Sequence, residues 1–145
     1  MRLLLQRVKS AQVLSHDKVI AGIGHGLVVF LGVGSQDTPE QAEFLAEKVA
    51  NLRVFEDEQG KTNLSIQEVG GEVVLVSQFT LYADTRKGRR PSFIDAAPPK
   101  VAEPLVDRFA DALRRLQVPT QTGTFGAHML VRLENDGPFT LWLEK

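Results

Sequence analysis

The chain has 145 residues, of which 43% are hydrophobic, so we expect one compact domain over residues 1–145. A formal net charge of −1 argues against a protein that coats long nucleic acids by general electrostatics. The lack of cysteine excludes disulfides, thiolate nucleophiles and cysteine-ligated zinc. No signal-like segment precedes the first predicted strand, and no apolar run reaches the ~20 residues of a membrane helix. We therefore expect a cytoplasmic protein with no membrane partner.

The first third of the chain predicts a meander of three strands. Residues 1–14 are rich in Leu and Val with interleaved polar residues, as in a long, half-exposed strand. Turn-forming residues at 16–18 and 24–26 then delimit a short strand over residues 19–23 and precede a buried strand over residues 27–31.

Two helices are predicted. Asp37, Thr38 and Pro39 combine a capping oxygen with proline at the first helical position, which is typical of a helix start. A second, more clearly amphipathic helix is predicted over residues 101–116. The helices interrupt the strands and do not alternate with them. The sequence thus predicts an α+β fold, with a mainly antiparallel sheet curled toward a barrel and two covering helices.

The predicted central strand, residues 72–77, ends in a polar segment. Ser77, Gln78 and Thr80 bring hydrogen-bonding groups to the edge of a hydrophobic core, where each needs a partner or a substrate. Strand alternation would place Ser77 with Phe79 on one face and Gln78 with Thr80 on the other. The residue types alone are consistent with satisfied structural polar groups and with a functional site.

The C-terminal segment predicts a hairpin. Residues 128–133 and 139–143 alternate like strands on either side of Asn135-Asp136-Gly137-Pro138. All four residues favour turns. Glycine before proline also has backbone geometries closed to other residues, and ~5% of X-Pro bonds in folded proteins are cis. An ordinary turn and a turn that presents its carbonyls to a ligand both fit this pattern.

A long basic loop is predicted after the polar segment. Its charged residues suit a solvated loop or a phosphate site, because guanidinium groups match phosphate oxygens. Phe125 fits a core position or a base-stacking position. His16, His25 and His128 have no metal-ligand spacing and are predicted to be surface or turn residues. We expect no metal, no cofactor, and, in an enzyme, few ionisable catalytic groups.

Taken together, these segments resemble the D-aminoacyl-tRNA deacylase family over essentially the full length. The motifs are Ser77-Gln78-Phe79-Thr80-Leu81 and residues 135–140, with further similarity at residues 6–8, 87–93 and 122–126. The resemblance implies hydrolysis of the ester bond of D-aminoacyl-tRNA and of glycyl-tRNA, with L-aminoacyl-tRNA rejected by steric exclusion. A non-catalytic binder of RNA or tRNA ends is the alternative function.

The resemblance also implies a homodimer with active sites at the subunit interface. The Gly137-Pro138 turn would enter the partner's pocket, supported by Arg7 and Asn135. Its Gly-Pro bond is cis in this family and trans in some relatives, and the motif at residues 77–81 resembles the cis branch. The pocket would be formed by Ser77, Gln78, Phe79 and Thr80. Thr80 would act either as a covalent nucleophile or as a positioning residue. The aminoacylated 3′ end of tRNA would contact Phe125, Gly126 and Met129 through its adenine, and Lys87, Arg89 and Arg90 through phosphates.

Overall fold

The computed structural model describes residues 1–145. In chain order, the elements are β1 (Arg2–Ser15), β2 (Lys18–Ile23), β3 (Gly26–Gly32), α1 (Pro39–Asn51), β4 (Phe55–Glu56), β5 (Thr62–Leu64), β6 (Glu72–Ser77), a 3₁₀ turn (Phe79–Tyr82), α2 (Pro99–Arg115), β7 (Thr120–Thr122) and β8 (Leu130–Glu144). Neither helix is long and apolar enough to cross a membrane.

The main sheet has the strand order β2-β1-β3-β6-β7, and β8 also pairs with β1. β1 is antiparallel to β2, β3 and β8, whereas β6 is parallel to β3 and β7. The predicted α+β class, with two covering helices and a sheet nearly closed into a barrel, is confirmed. The expectation that the helices only interrupt the strands was wrong. Each helix lies in a crossover between parallel strands, which need a dozen or more residues to connect.

The helix starts follow from local chemistry. Thr38 and Gln41 form a capping box, in which the Gln41 N–H donates to Thr38 Oγ1 at 3.4 Å and the Thr38 N–H donates to Gln41 Oε1 at 2.8 Å. α2 begins at Pro99, and Pro104 lies within its first two turns. The two helices cover one face of the sheet and bury Leu45, Val49 and Phe109 in the larger of two apolar clusters.

The gap between β7 and β2 is bridged by one side chain. Gln121 Nε2 donates to the Gly22 carbonyl at 2.6 Å, and the Gly22 N–H donates to Gln121 Oε1 at 2.9 Å. The Gln121 amide thus supplies the donor and acceptor that a neighbouring strand would provide. This contact joins the two ends of the sheet.

β1 changes its buried face at Arg7 and Val8. Leu3 and Leu5 belong to the helix-covered cluster, whereas Val8 and Val13 belong to the second cluster. Arg7 and Val8 are both buried, at 4% and 0% exposure. The strand is therefore more buried than the half-exposed strand predicted, and the change of face places one arginine inside the protein.

The predicted C-terminal hairpin is wrong. Gln6 pairs with Thr140 and Val8 with Asn135, so both flanks of the Gly-Pro turn lie antiparallel to β1 within one continuous strand. Between these two pairs, β1 has one residue, Arg7, and β8 has four, residues 136–139. The additional residues of β8 form a bulge that projects from the strand opposite Arg7. Alternation of apolar residues is the same in a hairpin and in one interrupted strand, so the sequence pattern did not distinguish them.

Candidate active site

The central motif forms a 3₁₀ turn directly after β6. The Gln78 N–H donates to the Leu31 carbonyl at 2.8 Å, and the Leu81 N–H donates to the Gln78 carbonyl at 3.2 Å. Strand geometry thus ends at Ser77, and the predicted two-faced arrangement of residues 77–80 is wrong. β3 ends at Gly32, so little ladder remains to keep the following residues extended.

Two glycines at the end of β3 and just after it make room for this turn. A Cβ atom at Gly32 would lie 3.0 Å from the Gln78 carbonyl oxygen, and one at Gly34 would lie 2.7 Å from the Tyr82 hydroxyl. Tyr82 donates a hydrogen bond of 3.1 Å to Asp37. Burial, with the Asp37 carboxylate beside it, raises the pKa of Tyr82 well above its ordinary value. The turn is therefore closely packed against these glycines, and its last residue is a neutral tyrosine.

Arg2 ties the same turn to β1. Its Nη1 donates to the Leu81 carbonyl at 3.0 Å, and its guanidinium lies 4.4 Å from the centre of the Tyr82 ring. Its Nε lies 3.6 Å from Glu144 Oε2 on β8. Arg2 thus connects the first and last strands to the polar motif.

A mostly apolar cavity of about 620 Å³ lies beside this turn. Ser77, Gln78 and Phe79 line one part of it, whereas Thr80 does not line it. The Thr80 hydroxyl instead accepts a 2.5 Å hydrogen bond from Gln78 Nε2. The other predicted residues in the lining are Phe125, Gly126 and Met129, and they are joined by Val33, Val76, Phe93, Ala96, Ala97, Pro99, Ala102, Ala127, His128 and Val131.

Ten of the 16 lining residues were not predicted as site residues, among them His128 and Phe93. His128 is an exposed residue, as predicted, but it also faces the cavity. Phe93 makes an edge contact with Phe79, with ring centres 5.0 Å apart. Its place directly after the basic loop, within the segment that resembles the family, was the available signal. No sequence pattern indicated that His128 would face the cavity.

The basic loop is closed at its base. Asp84 and Ser92 exchange main-chain hydrogen bonds of 2.8 and 2.9 Å. Arg86 donates from Nε and Nη2 to the two Asp84 oxygens, each at 2.8 Å, and this contact holds the pKa of Asp84 well below its usual range. The remaining cations, Lys87, Arg89 and Arg90, are exposed and make no ion pair. The loop therefore presents three free positive charges.

The second motif is a braced projection from β8. Asn135 spans it, because its Nδ2 donates to the Phe139 carbonyl at 3.1 Å and its Oδ1 accepts from the Phe139 N–H at 2.8 Å. The Gly137-Pro138 bond is cis. Gly137 has φ +139°, and a Cβ atom there would lie 2.9 Å from the Phe139 nitrogen. Only glycine fits this position without strain.

Arg7 holds the projection from below. Its Nε donates to the Asp136 carbonyl at 3.1 Å, and its Nη1 donates to the Val54 carbonyl at 2.7 Å. Its Nη2 donates to Glu56 Oε1 at 3.2 Å, and its guanidinium lies 5.0 Å from the centre of the Phe139 ring. Glu56 was not among the predicted site residues. A two-residue strand is too short to be recognised from a pattern.

The two motifs do not meet within one chain. Neither Gly137 nor Pro138 lines the cavity. Arg7 pairs with Leu27 at the start of β3, whereas Ser77 pairs with Leu31 near its end. Two strand spacings and four residues along the strands separate Ser77 from Arg7 by roughly 15 Å, and the Gly-Pro turn lies one strand further away, on β8. One chain therefore carries a cavity in one place and an exposed, braced turn in another. The structure has no cluster of three or more His, Cys, Asp or Glu that could hold a metal ion.

Comparisons with known proteins identify the family. Residues 4–144 match the family model described as D-Tyr-tRNA(Tyr) deacylase. The chain belongs to this deacylase family. It is 59% identical to the D-aminoacyl-tRNA deacylase of Thermomicrobium roseum, over 99% of this chain and 94% of that protein. It is 58% identical to that of a Roseiflexus species, over 99% and 93% of the two chains. The resemblance found in the motifs is thus confirmed.

Two solved structures have the same fold. The c-Myc DNA Unwinding Element Binding Protein superposes with a TM-score of 0.93 at 40% identity, covering 100% of this chain and 99% of that chain. A probable eukaryotic D-amino acid tRNA deacylase gives a TM-score of 0.85 at 22% identity, over 98% and 97% of the chains. The second likeness concerns the fold alone.

Proposed function

We propose that this member of the deacylase family hydrolyses the ester bond of D-aminoacyl-tRNA and of glycyl-tRNA, releasing the free amino acid and tRNA. L-aminoacyl-tRNA is left intact. The separation of the two motifs is the observation that carries the proposal. The chain has an apolar cavity beside the polar motif and, elsewhere, an exposed turn held by Arg7 and Asn135. Such a turn is available to complete the cavity of a second copy.

The proposed assembly is a homodimer with two equivalent sites. β8 is 15 residues long and pairs only with β1, and none of its side chains is fully buried. Leu130 and Trp142 are 50% and 46% exposed. A long edge strand with exposed apolar side chains is typical of a surface that another chain covers. In a two-fold dimer, each Gly137-Pro138 turn would enter the partner's cavity.

Selectivity is proposed to come from exclusion. The carbonyls of Gly137 and Pro138 would face the substrate's α-carbon and leave room only for hydrogen where an L-residue has its side chain. A clash against the wrong enantiomer works for every side chain, whereas favourable contacts would suit only some amino acids. Glycine has no side chain to exclude, so glycyl-tRNA is also a substrate.

The proposed chemistry is direct hydrolysis of an activated ester. Water attacks the ester carbonyl carbon, the bond to the ribose oxygen breaks, and that oxygen takes up a proton. The N–H groups of Phe79 and Thr80 open the 3₁₀ turn, where N–H groups have no acceptor within the turn. They are available to stabilise the developing oxyanion, with Ser77 and Gln78 forming the adjacent wall. The 2′-hydroxyl of the terminal adenosine would help to activate the water.

Thr80 is proposed to position the substrate and not to form an acyl-enzyme. No histidine or carboxylate hydrogen-bonds to its hydroxyl, which instead accepts from Gln78. Thr80→Val should therefore retain most of the activity. An acyl-enzyme trapped in the parent protein, with complete loss of activity in Thr80→Val, would contradict this role.

The tRNA end is proposed to occupy two neighbouring surfaces. Phe125, Gly126 and Met129 would hold the terminal adenine in the apolar cavity. Lys87, Arg89 and Arg90 would contact phosphates. Replacing these three cations by alanine should reduce the slope of log K against log salt concentration by roughly 0.7–0.9 per lost phosphate contact. An unchanged slope would contradict the phosphate assignment.

A matched pair of D- and L-tyrosyl-tRNA, with glycyl-tRNA, tests the activity. Amino-acid release is expected from the D- and glycyl-substrates and not from the L-substrate. Equal release from the D- and L-substrates would refute the exclusion model. A D-substrate lacking the 2′-hydroxyl should react slowly, because the proposed route to activated water is then missing.

Complementation tests the shared site. Gly137→Ala strains the turn, and Ala127→Trp fills the cavity; each variant alone should lose most of its activity. When the two are co-expressed with different tags, mixed dimers should contain one intact site. Random pairing then predicts recovery of about a quarter of the parent activity. No recovery in purified mixed dimers would show that the motifs do not meet between subunits.

A non-catalytic role in binding nucleic-acid ends is the second candidate. It is favoured by the 40% identity to a protein named for binding a DNA element. This function predicts tight binding of D-aminoacyl-tRNA without release of the amino acid. The same deacylation assay therefore separates the two candidates.

A further inference from the structure

We infer that Glu56 is a positioning residue for the Gly-Pro turn. Its charge determines which oxygen of Asp136 the guanidinium of Arg7 binds, and thereby sets the selectivity between D- and L-substrates. The inference rests on the proposed function, and it assigns part of the chiral filter to β4, outside both sequence motifs.

Arg7 carries a positive charge inside the protein. The residue is 4% exposed, so its positive charge requires compensation inside the protein. Two carboxylates lie within reach: Glu56 Oε1 at 3.2 Å and Asp136 Oδ2 at 3.7 Å. Glu56 is the closer and the only one at hydrogen-bond distance. It is therefore the main counter-charge of the residue that braces the turn.

Asp136 offers Arg7 two competing acceptors. Arg7 Nε binds the main-chain carbonyl at 3.1 Å, although Oδ2 of the same residue is only 3.7 Å away. Hydrogen bonds between two charged groups are the stronger kind, so an uncompensated guanidinium would favour the carboxylate. Glu56 compensates the charge of Arg7, so Arg7 Nε keeps its hydrogen bond to the Asp136 carbonyl. Because this carbonyl directly precedes Gly137, its contact with Arg7 fixes where the turn begins.

Glu56→Gln is the test, because glutamine keeps the size of the side chain and removes its charge. The ratio of D- to L-tyrosyl-tRNA hydrolysis should fall by about tenfold, since misplacement of a positioned group by about 1 Å can cost up to ~10²-fold. Glu56→Asp should retain part of the ratio. Glu58→Gln is the matched control, because Glu58 is exposed on the same hairpin and makes no hydrogen bond or ion pair; its ratio should equal that of the parent.

A double variant tests the competition itself. Adding Asp136→Asn to Glu56→Gln removes the competing carboxylate, so the D/L ratio should recover toward the parent value. Independent structural damage would make the two losses additive, which would overturn the inference. A Glu56→Gln protein with an unchanged ratio, or with both rates lowered equally, would also overturn it.

The crystal structure of Glu56→Gln provides a readout independent of activity. Arg7 Nε should bind Asp136 Oδ2 in place of the carbonyl, and an unmoved guanidinium would refute the inference. A parent enzyme that fails to hydrolyse the D-substrate would reject the proposed function instead. The two failures are thus distinguishable.

Discussion

The two turns of the candidate site are built in different ways. The 3₁₀ turn over Phe79–Tyr82 lies against the main chain at Gly32 and Gly34, and it leaves no room for a side chain at either glycine. The Gly-Pro turn projects from β8, and a few polar bonds from Arg7 and Asn135 hold it. The first is positioned by packing and the second by side-chain hydrogen bonds. Substitutions should therefore affect selectivity at the second turn and stability at the first.

The largest effect is expected from Arg7→Leu. Leucine would pack against Phe139 but make none of the three hydrogen bonds of Arg7, so the turn loses its brace. The kcat/KM for D-tyrosyl-tRNA should fall on the order of 10²-fold, as expected when a positioned group shifts. Arg53→Leu, at an exposed position, is the control and should retain activity. An Arg7→Leu enzyme with parent activity would show that the turn positions itself.

A smaller effect is expected from Gly137→Ala. The new Cβ atom would lie 2.9 Å from the Phe139 nitrogen, at a φ of +139° that favours glycine. Strain of this kind costs about 1–3 kcal/mol. The loss should appear mainly in kcat/KM, because the projecting turn can shift without disturbing the core. Steady-state kinetics and thermal denaturation together would show whether activity falls more than stability.

Gly32→Ala tests the packed turn. Its Cβ atom would lie 3.0 Å from the Gln78 carbonyl oxygen and 3.1 Å from Leu81 Cβ, neither of which is a flexible side-chain end. Overpacking should lower the free energy of unfolding by about 1–3 kcal/mol. The D/L ratio should stay near the parent value, because the Gly-Pro turn is untouched. Urea denaturation with the paired deacylation assay distinguishes this outcome from a loss of selectivity.

The smallest effect is expected from Tyr82→Phe, which removes the hydrogen bond to Asp37 at a cost of about 1 kcal/mol. Burial raises the pKa of Tyr82, so folding is favoured while the unfolded tyrosine is neutral and disfavoured once it ionises above its usual pKa of about 10. The parent should lose stability as pH rises above that value. The phenylalanine variant should lack this part of the loss, which denaturation curves at alkaline pH would reveal.

The sequence was most informative where one pattern has one structural meaning. The capping residues around Thr38 and the apolar run before Ser77 determined α1 and β6. It failed where geometry depends on a distant partner: alternation around Asn135 suits a hairpin equally well, and only pairing with β1 decides. Glu56 was missed for the same reason, because its role arises from a contact with Arg7, which is distant in the chain.

The Gln121 amide has a consequence for how the molecule opens. A regular ladder would resist separation through many bonds, whereas the closure between β7 and β2 depends on two bonds from one side chain. β7 leads into the segment that carries Phe125 and Met129. We therefore expect this wall of the cavity to exchange its amide hydrogens earlier than β1 or β3.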